Sequence, residues 1–410
     1  MAQAIPLVTR ADPTATRGAV TEAYLTQPIV MAHGSWNWLR AIATLNFEGL
    51  TLDRGELTTG GYGEGYVDRR HPHAYVHELL LGGESARGGI HGSIFAGRGF
   101  APFGSDDPMV RPLEKYPVNH HLAQVLERVV AVGALRYGMV IGEFAVFNGD
   151  EPTSPSSAPA FDRFGDSWAS RVTVLPFAGS EVSASIADVT SPELRAGHGL
   201  DQRKGSVVGR YSRETAGTWR YAMLEWARTD ERARGALTTR LSSVLGEAAA
   251  CKSGVIVAGR LERTDRPEEE TLLDPFRTPR PAGDLSNLGV SRWTTLTASL
   301  AAPYLASGPF SGRPFVEVAR ISVAAGSPGG VFNPELRYGA RRLWMLSAGV
   351  RLRAGAMHEH RMGRYGVAMP PEGTHSMPGE SDTMAGMPNM PGMPRDTPAT
   401  HSSASSRCSL

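Results

Sequence analysis

Residues 342–355 read Arg-Leu-Trp-Met-Leu-Ser-Ala-Gly-Val-Arg-Leu-Arg-Ala-Gly. In an extended chain, successive side chains point to opposite faces. Trp344, Leu346, Ala348, Val350 and Leu352 then share one face, and Met345, Ser347, Gly349, Arg351 and Arg353 share the other. A helix would scatter both sets around its circumference. One face is greasy and starts on an aromatic ring; the other carries two arginines in mid-strand. The same division holds elsewhere. In 253–264, Val255, Val257, Gly259 and Leu261 stand against Ile256, Ala258, Arg260 and Glu262. In 181–189, Val182, Ala184 and Ile186 oppose Glu181, Ser183 and Ser185, and in 204–212, Val207, Gly209 and Tyr211 oppose Ser206, Val208, Arg210 and Ser212.

Period two recurs near 21–33, 37–52, 74–82, 89–98, 129–137, 139–147, 167–176, 218–228, 236–250, 289–302 and 313–325. Turn-formers such as Gly149-Asp150-Glu151-Pro152 and Ser327-Pro328-Gly329-Gly330 separate the runs. The pattern predicts roughly 14 to 16 strands. The one helix-like stretch, 121–128, reads as a short turn within the long link 99–127; 148–166 and 265–288 are further long links. Residues 1–20 are polar and aperiodic and read as a flexible N-terminal segment, 21–367 as one β unit, and 368–410 as a disordered extension rich in Met, Pro and Ser.

Composition narrows the classes. The chain has 410 residues, with 42 Lys+Arg against 41 Asp+Glu and a net charge of +1, which excludes the usual basic nucleic-acid binder. No apolar run approaches the roughly 20 residues that a spanning helix needs; the longest near a strand is 129–135, between Arg128 and Arg136. Two cysteines, Cys251 and Cys408, make no disulfide scaffold, and whether they pair is left open by the sequence. No leader is visible, but Ala2-Gln3-Ala4 has the small-x-small form of a cleavage site, as at the mature end of an exported protein.

A long antiparallel meander must hide its edges. Closure into a barrel in a membrane is favoured by three features: many strands without a helical layer, charged residues in mid-strand suited to a wet lumen, and aromatics near strand ends (Trp36, Trp38, Trp168, Trp219, Trp293, Trp344) where an interfacial girdle would lie. The expectation is an all-β, closed, up-and-down transmembrane barrel. A soluble β-rich binding protein is the rival.

The stretches Thr44-Leu-Asn-Phe-Glu-Gly-Leu-Thr-Leu-Asp53, Gly63-Glu-Gly-Tyr-Val-Asp-Arg-Arg-His-Pro-His73, His77-Glu78, Phe100-Ala-Pro-Phe-Gly-Ser-Asp-Asp-Pro108 and Pro117-Val-Asn-His-His121 resemble those of bacterial outer-membrane porin-like barrels. The resemblance covers about 21–366. It implies an outer-membrane location, a channel for small hydrophilic solutes or ions, lipid as a partner, and a homo-oligomer as an open option. The chain departs from such barrels in one respect: they usually finish on a terminal strand with an aromatic residue, whereas here 43 residues follow Val367.

Arg210, Arg260, Glu262, Arg351 and Arg353 are the candidates for the lumen wall, where charged side chains would set selectivity. Six of the 12 histidines lie between 71 and 121. His71, His73, His77, His120 and His121, with Glu78 and Asp106-Asp107 near in sequence, are candidate ligands because neutral imidazole suits Cu(II), Zn and Ni; hydrogen-bonded residues in a wet barrel are the plainer reading. Met384, Met387, Met390 and Met393 recur every three residues, and eight of the 14 methionines fall at or after Met357. Thioethers select Cu(I), and such segments resemble those of envelope copper-resistance proteins, so copper is the one cofactor suggested. Catalytic signatures are weak. Gly165-Asp166-Ser167 reads as a turn, and no nucleophile elbow, P-loop or zincin helix is found. The expectation is a protein that is not an enzyme.

Overall fold

The computed structural model describes residues 1–12, 18–51, 73–152, 155–192, 199–215, 217–269, 287–326, 333–355 and 361–370. The alternation becomes strands β1 (Ala2–Asp12), β2 (Val20–Trp36), β3 (Leu39–Asn46), β4 (Val76–Arg87), β5 (Ile90–Gly99), β6 (Arg128–Tyr137), β7 (Val140–Phe147), β8 (Ser167–Val174) and β9 (Ser180–Val189). These are followed by β10 (Asp201–Thr215), β11 (Thr218–Ala233), β12 (Ala236–Lys252), β13 (Val255–Glu269), β14 (Asn287–Ala301), β15 (Leu305–Ser307), β16 (Phe310–Ala325) and β17 (Arg342–Ala354). Sequential neighbours pair antiparallel, and β1 pairs with both β2 and β17, so the sheet closes on itself. The short β15 lies on β16 beyond the end of β14; these two take one place in the ring, and the 17 segments make sixteen staves.

Connections sort by length. Those at 37–38, 88–89, 138–139, 175–179, 216–217, 253–254 and 308–309 gather at the end where β1 begins and β17 finishes. The strand ends joined through 47–75, 100–127, 148–166, 190–200, 270–286 and 326–341 lie at the other; the short link 234–235 is the exception there. Gly88 (φ 58°) and Gly89 (φ 79°) both take the left-handed conformation, the pair required by the tight turn whose twist matches that of its strands.

The outer face is apolar. Leu79, Leu81, Ile94, Phe144, Ile186, Leu224, Val244, Val257, Leu261, Leu296 and Leu346 are all exposed. Aromatics flank this belt: Trp36, Trp38, Tyr137, Phe177 and Phe310 at the short-turn end, and Phe164, Trp168 and Trp344 at the long-loop end. An exposed apolar surface encircling the whole sheet would be untenable in water, and it sets aside the soluble binding-protein reading.

Three expectations need correction. The first 20 residues are not simply a loose terminus: Ala2–Asp12 is the closing strand, turning Gln3, Ile5, Leu7, Thr9 and Ala11 inward. Its faces mix polar with apolar residues and it contains Pro6, so alternation was hidden in the composition. The strand expected over 37–52 ends at Asn46, and a single helical turn, α1 (Glu48–Thr51), follows. Trp219 and Trp293 are buried inside the ring rather than in a girdle; the Trp293 indole donates to Ser291 at 2.8 Å.

Candidate functional site

Two segments of the chain enter the interior. Residues 100–127 enter from the long-loop end, carrying the short helix α2 (His120–Ala123), and are almost entirely buried. Residues 361–370 follow β17 from the short-turn end; Met362, Arg364, Tyr365 and Ala368 are buried in the lumen. The 100–127 insert and the 361–370 strap meet where Phe100 N donates to the Tyr365 hydroxyl at 2.8 Å, and that hydroxyl donates to Glu78 Oε1 at 2.9 Å.

Charges hold the insert to the wall. Arg111 on the insert makes a two-pronged contact with Glu247 of β12 (Nε to Oε1 3.1 Å, Nη2 to Oε2 2.9 Å), and Arg260 of β13 reaches Glu247 Oε2 at 2.7 Å. Arg260 also donates to the Lys115 carbonyl at 2.9 Å. The backbone N–H of Val118 donates to Glu262 at 2.8 Å and that of Glu114 to Glu317 at 3.1 Å, and the Asn119 side-chain amide donates to Glu225 at 2.5 Å. Arg351 Nε donates to Glu114 Oε2 at 2.7 Å. Buried ions persist when they are paired and hydrogen-bonded, and here the pairing partners come from segments far apart in sequence. Lys115 sits deep enough that burial, only partly opposed by Glu317, pushes its ammonium down to about 8.

The strap is held in the same manner. Arg361 spans Glu181 (Nη1 to Oε1 2.6 Å) and Asp106 (Nη2 to Oδ1 2.7 Å), and Arg210 contacts the same two carboxylates at 2.9 and 3.3 Å. Burial would raise the Asp106 carboxyl, but Arg361, Arg210 and Arg364 hold it well below the ordinary range. Arg171 is bidentate to Glu143, both contacts 2.7 Å, and also donates to the Gly363 carbonyl.

All five residues expected on the lumen wall therefore turn inward, and each is engaged by a polar partner. Arg210, Arg260, Glu262 and Arg351 hold the insert, and Arg353 donates to Gln3 across the closing pair of strands at 3.1 Å. Reasoning from sequence missed the wall carboxylates Glu225, Glu247 and Glu317, which also hold the insert. Strand parity could have found them, since they alternate with outward Leu224, Gly246 and Val318. It could not have placed Arg111, Glu114, Arg361 or Arg364, which sit on irregular segments.

Of the candidate ligands, His73, His77 and His120 come together. The His73 ring centre is 4.9 Å from that of His77 and 5.7 Å from that of His120, and the Tyr116 ring lies tilted against His120 at 4.7 Å. All are buried. β4 begins only at Val76, so His73 and His77 do not share one strand. Instead the β3–β4 register skips His77 between the pairs Thr44–Glu78 and Leu45–Val76. This bulge turns both His77 and Glu78 inward, the usual effect of an extra residue on side-chain aim. Glu127 was not anticipated. It has a left-handed backbone (φ 57°) and places one carboxylate oxygen 2.5 Å from His77 Nδ1 and 3.4 Å from His73 Nδ1. Burial would raise that carboxyl, but the two imidazoles beside it hold it well below the ordinary range. For His121 the structure describes only its place in α2; His71, Met384, Met387, Met390, Met393 and Cys408 lie outside the described residues.

Gly104 marks how tightly the insert fits. Its φ is +72°, a Cβ there would meet the Ala123 carbonyl oxygen at 1.6 Å, and its N–H donates to Ser185 at 2.9 Å. Gly104→Ala is expected to lower the urea midpoint of the folded barrel. The left-handed backbone alone costs about 1–3 kcal/mol, and the clash adds to it. Gly89→Ala, at φ +79° with nothing within 4 Å, is the control that carries the backbone cost alone.

No family model and no curated protein matches the chain. Solved structures of similar shape are an anion-selective porin from Comamonas acidovorans (11% identity, 85% of this chain and 97% of that one, TM-score 0.49) and a loop L8 deletion mutant of OmpT, an outer membrane protein of Vibrio cholerae (9%, 86% and 98%, 0.45). A third is OccK2 of Pseudomonas aeruginosa in complex with glucuronate (10%, 86% and 97%, 0.38). The fold assignment rests on the strand pairing described above.

Proposed function

We propose that the protein is an outer-membrane channel of porin type, passing small hydrophilic solutes or ions through a lumen narrowed by the insert and the strap. One observation carries this reading: a closed ring that is greasy outside and charged inside. Such a ring satisfies its backbone in lipid, and its ionic interior has no purpose in a dry core. By the usual asymmetry of such barrels, the short turns face the periplasm and the long loops the exterior. Guanidiniums and carboxylates pair closely along the lumen, so little fixed charge is left to select strongly between anions and cations. The names of the similarly shaped proteins are in keeping with this reading, as is the trimeric form of OmpT for a homo-oligomer.

Purified, folded protein in a planar lipid bilayer is expected to give small, stable conductance steps with a reversal potential near zero in a salt gradient. A silent bilayer with protein shown to be folded by its heat-dependent electrophoretic mobility would remove the channel reading. A second reading, metal handling in the envelope, is favoured by the convergence of His73, His77 and Glu127. In that reading the methionines of the C-terminal segment take Cu(I). It predicts Cu(I) binding by the full chain that weakens when Met384, Met387, Met390 and Met393 are all leucine.

A further inference from the structure

His73, His77 and Glu127 each offer one ligand atom, and the three atoms lie within 4.8 Å of one another in a buried site. We infer that these residues form a binding site for a single divalent transition-metal ion of the zinc class, which clamps the root of the lumen insert to the barrel wall. The inference does not rest on the channel reading; a sealed barrel could carry the same clamp.

Several observations converge. The donor set, two imidazoles and one carboxylate, is the one that zinc takes in sites with an open fourth position. The ligand atoms of a tetrahedral zinc ion, each about 2.0–2.2 Å from it, stand roughly 3.3–3.6 Å apart. The 3.4 Å between His73 Nδ1 and Glu127 Oε1 already has that spacing. The 2.5 Å between His77 Nδ1 and the same oxygen is a hydrogen-bond distance, and a bound ion would widen it.

The backbone is also bent to serve this point. The bulge in β4 aims His77 inward, and Glu127 holds a left-handed conformation that an unconstrained glutamate avoids. Glu127 Oε1 is further fixed by the backbone N–H of Ala74 at 2.8 Å, the kind of outer support that orients a ligating carboxylate. His120, whose ring centre is 5.7 Å from that of His73, stands near enough to close the coordination after a small shift.

The placement gives the ion its role. Glu127 is the last residue before β6, and His120 belongs to the insert. His73 lies on the approach to β4, and His77 is the second residue of that strand. An ion here joins the insert to the wall where the insert leaves it.

The test is equilibrium dialysis of the folded full chain in detergent against zinc, followed by elemental analysis. One zinc per chain is expected, retained when Met384, Met387, Met390 and Met393 are all leucine. His77→Ala and Glu127→Gln, checked for folding by electrophoretic mobility, are each expected to weaken binding at least about tenfold. Zinc binding that is absent in the folded wild type, or unchanged in both folded variants, overturns the site. If neither variant folds, pulsed electron paramagnetic resonance of the Cu(II)-loaded wild type decides instead. Two coordinating imidazoles that disappear in His73→Asn support the site; unchanged coordination in His73→Asn, or none in the wild type, refutes it.

Discussion

Glu247→Ala is expected to destabilise the folded barrel by about 3–5 kcal/mol, the cost of leaving a buried charge without its partner. Glu247 is the shared anchor of Arg111 and Arg260, and both guanidiniums are buried within the ring. Its removal leaves two positive charges facing each other in mid-lumen. The measurement is the urea midpoint in detergent, followed by the change in electrophoretic mobility on unfolding. A triple variant, Arg111→Met with Glu247→Leu and Arg260→Met, should recover most of the loss, because apolar residues of similar volume replace buried ions without a desolvation cost. A midpoint that does not move in Glu247→Ala would mean that the insert is not held where the structure places it.

The second large effect is expected on the opposite face. Leu224 is 70% exposed on β11, midway between outward-facing Arg220 and Arg228, which bracket the apolar stretch of that strand. Leu224→Arg should destabilise the protein in lipid by about 2–4 kcal/mol, the penalty for a cation at the middle of a bilayer. Leu237→Arg, at the long-loop end of β12, should cost only about 0–1 kcal/mol. In water an exposed leucine tolerates the same change within about 0.5 kcal/mol. The difference between the two sites, measured as unfolding free energies in lipid vesicles, is therefore a direct reading of the membrane. Equal effects at 224 and 237 would contradict a bilayer centred on this belt.

Much of the ring was legible because lipid and lumen impose opposite demands on alternate residues. Trp344, Leu346 and Leu352 face outward while Ser347, Arg351 and Arg353 face inward, and that contrast survives in the bare string. Where both sides of a strand meet protein or mixed surroundings, the contrast fades. β1 sets Ile5 and Leu7 inward against inserted chain and Arg10 outward, so its strand was invisible by polarity. The same reason explains Trp219 and Trp293: an interior packed with protein accepts large rings as readily as an interface does. The histidine cluster was half legible. His73 and His77 were grouped correctly, but by a parity that the bulge in β4 breaks. Glu127 was beyond reach, because its approach depends on a loop of nearly 30 residues returning to its starting point, and no local pattern encodes that return.

The pairing of β1 with β17 also sets the order of assembly. Gln3 and Arg353 are hydrogen-bonded across 350 residues of chain, so β1 finds its second neighbour only after β17 has been made. Until that seam zips, the growing sheet has two raw borders able to capture any passing strand, and loop closure on this scale is slow. A nascent chain of this design needs shelter for the whole of its passage to the membrane, and its rate-limiting event should be the meeting of β1 with β17.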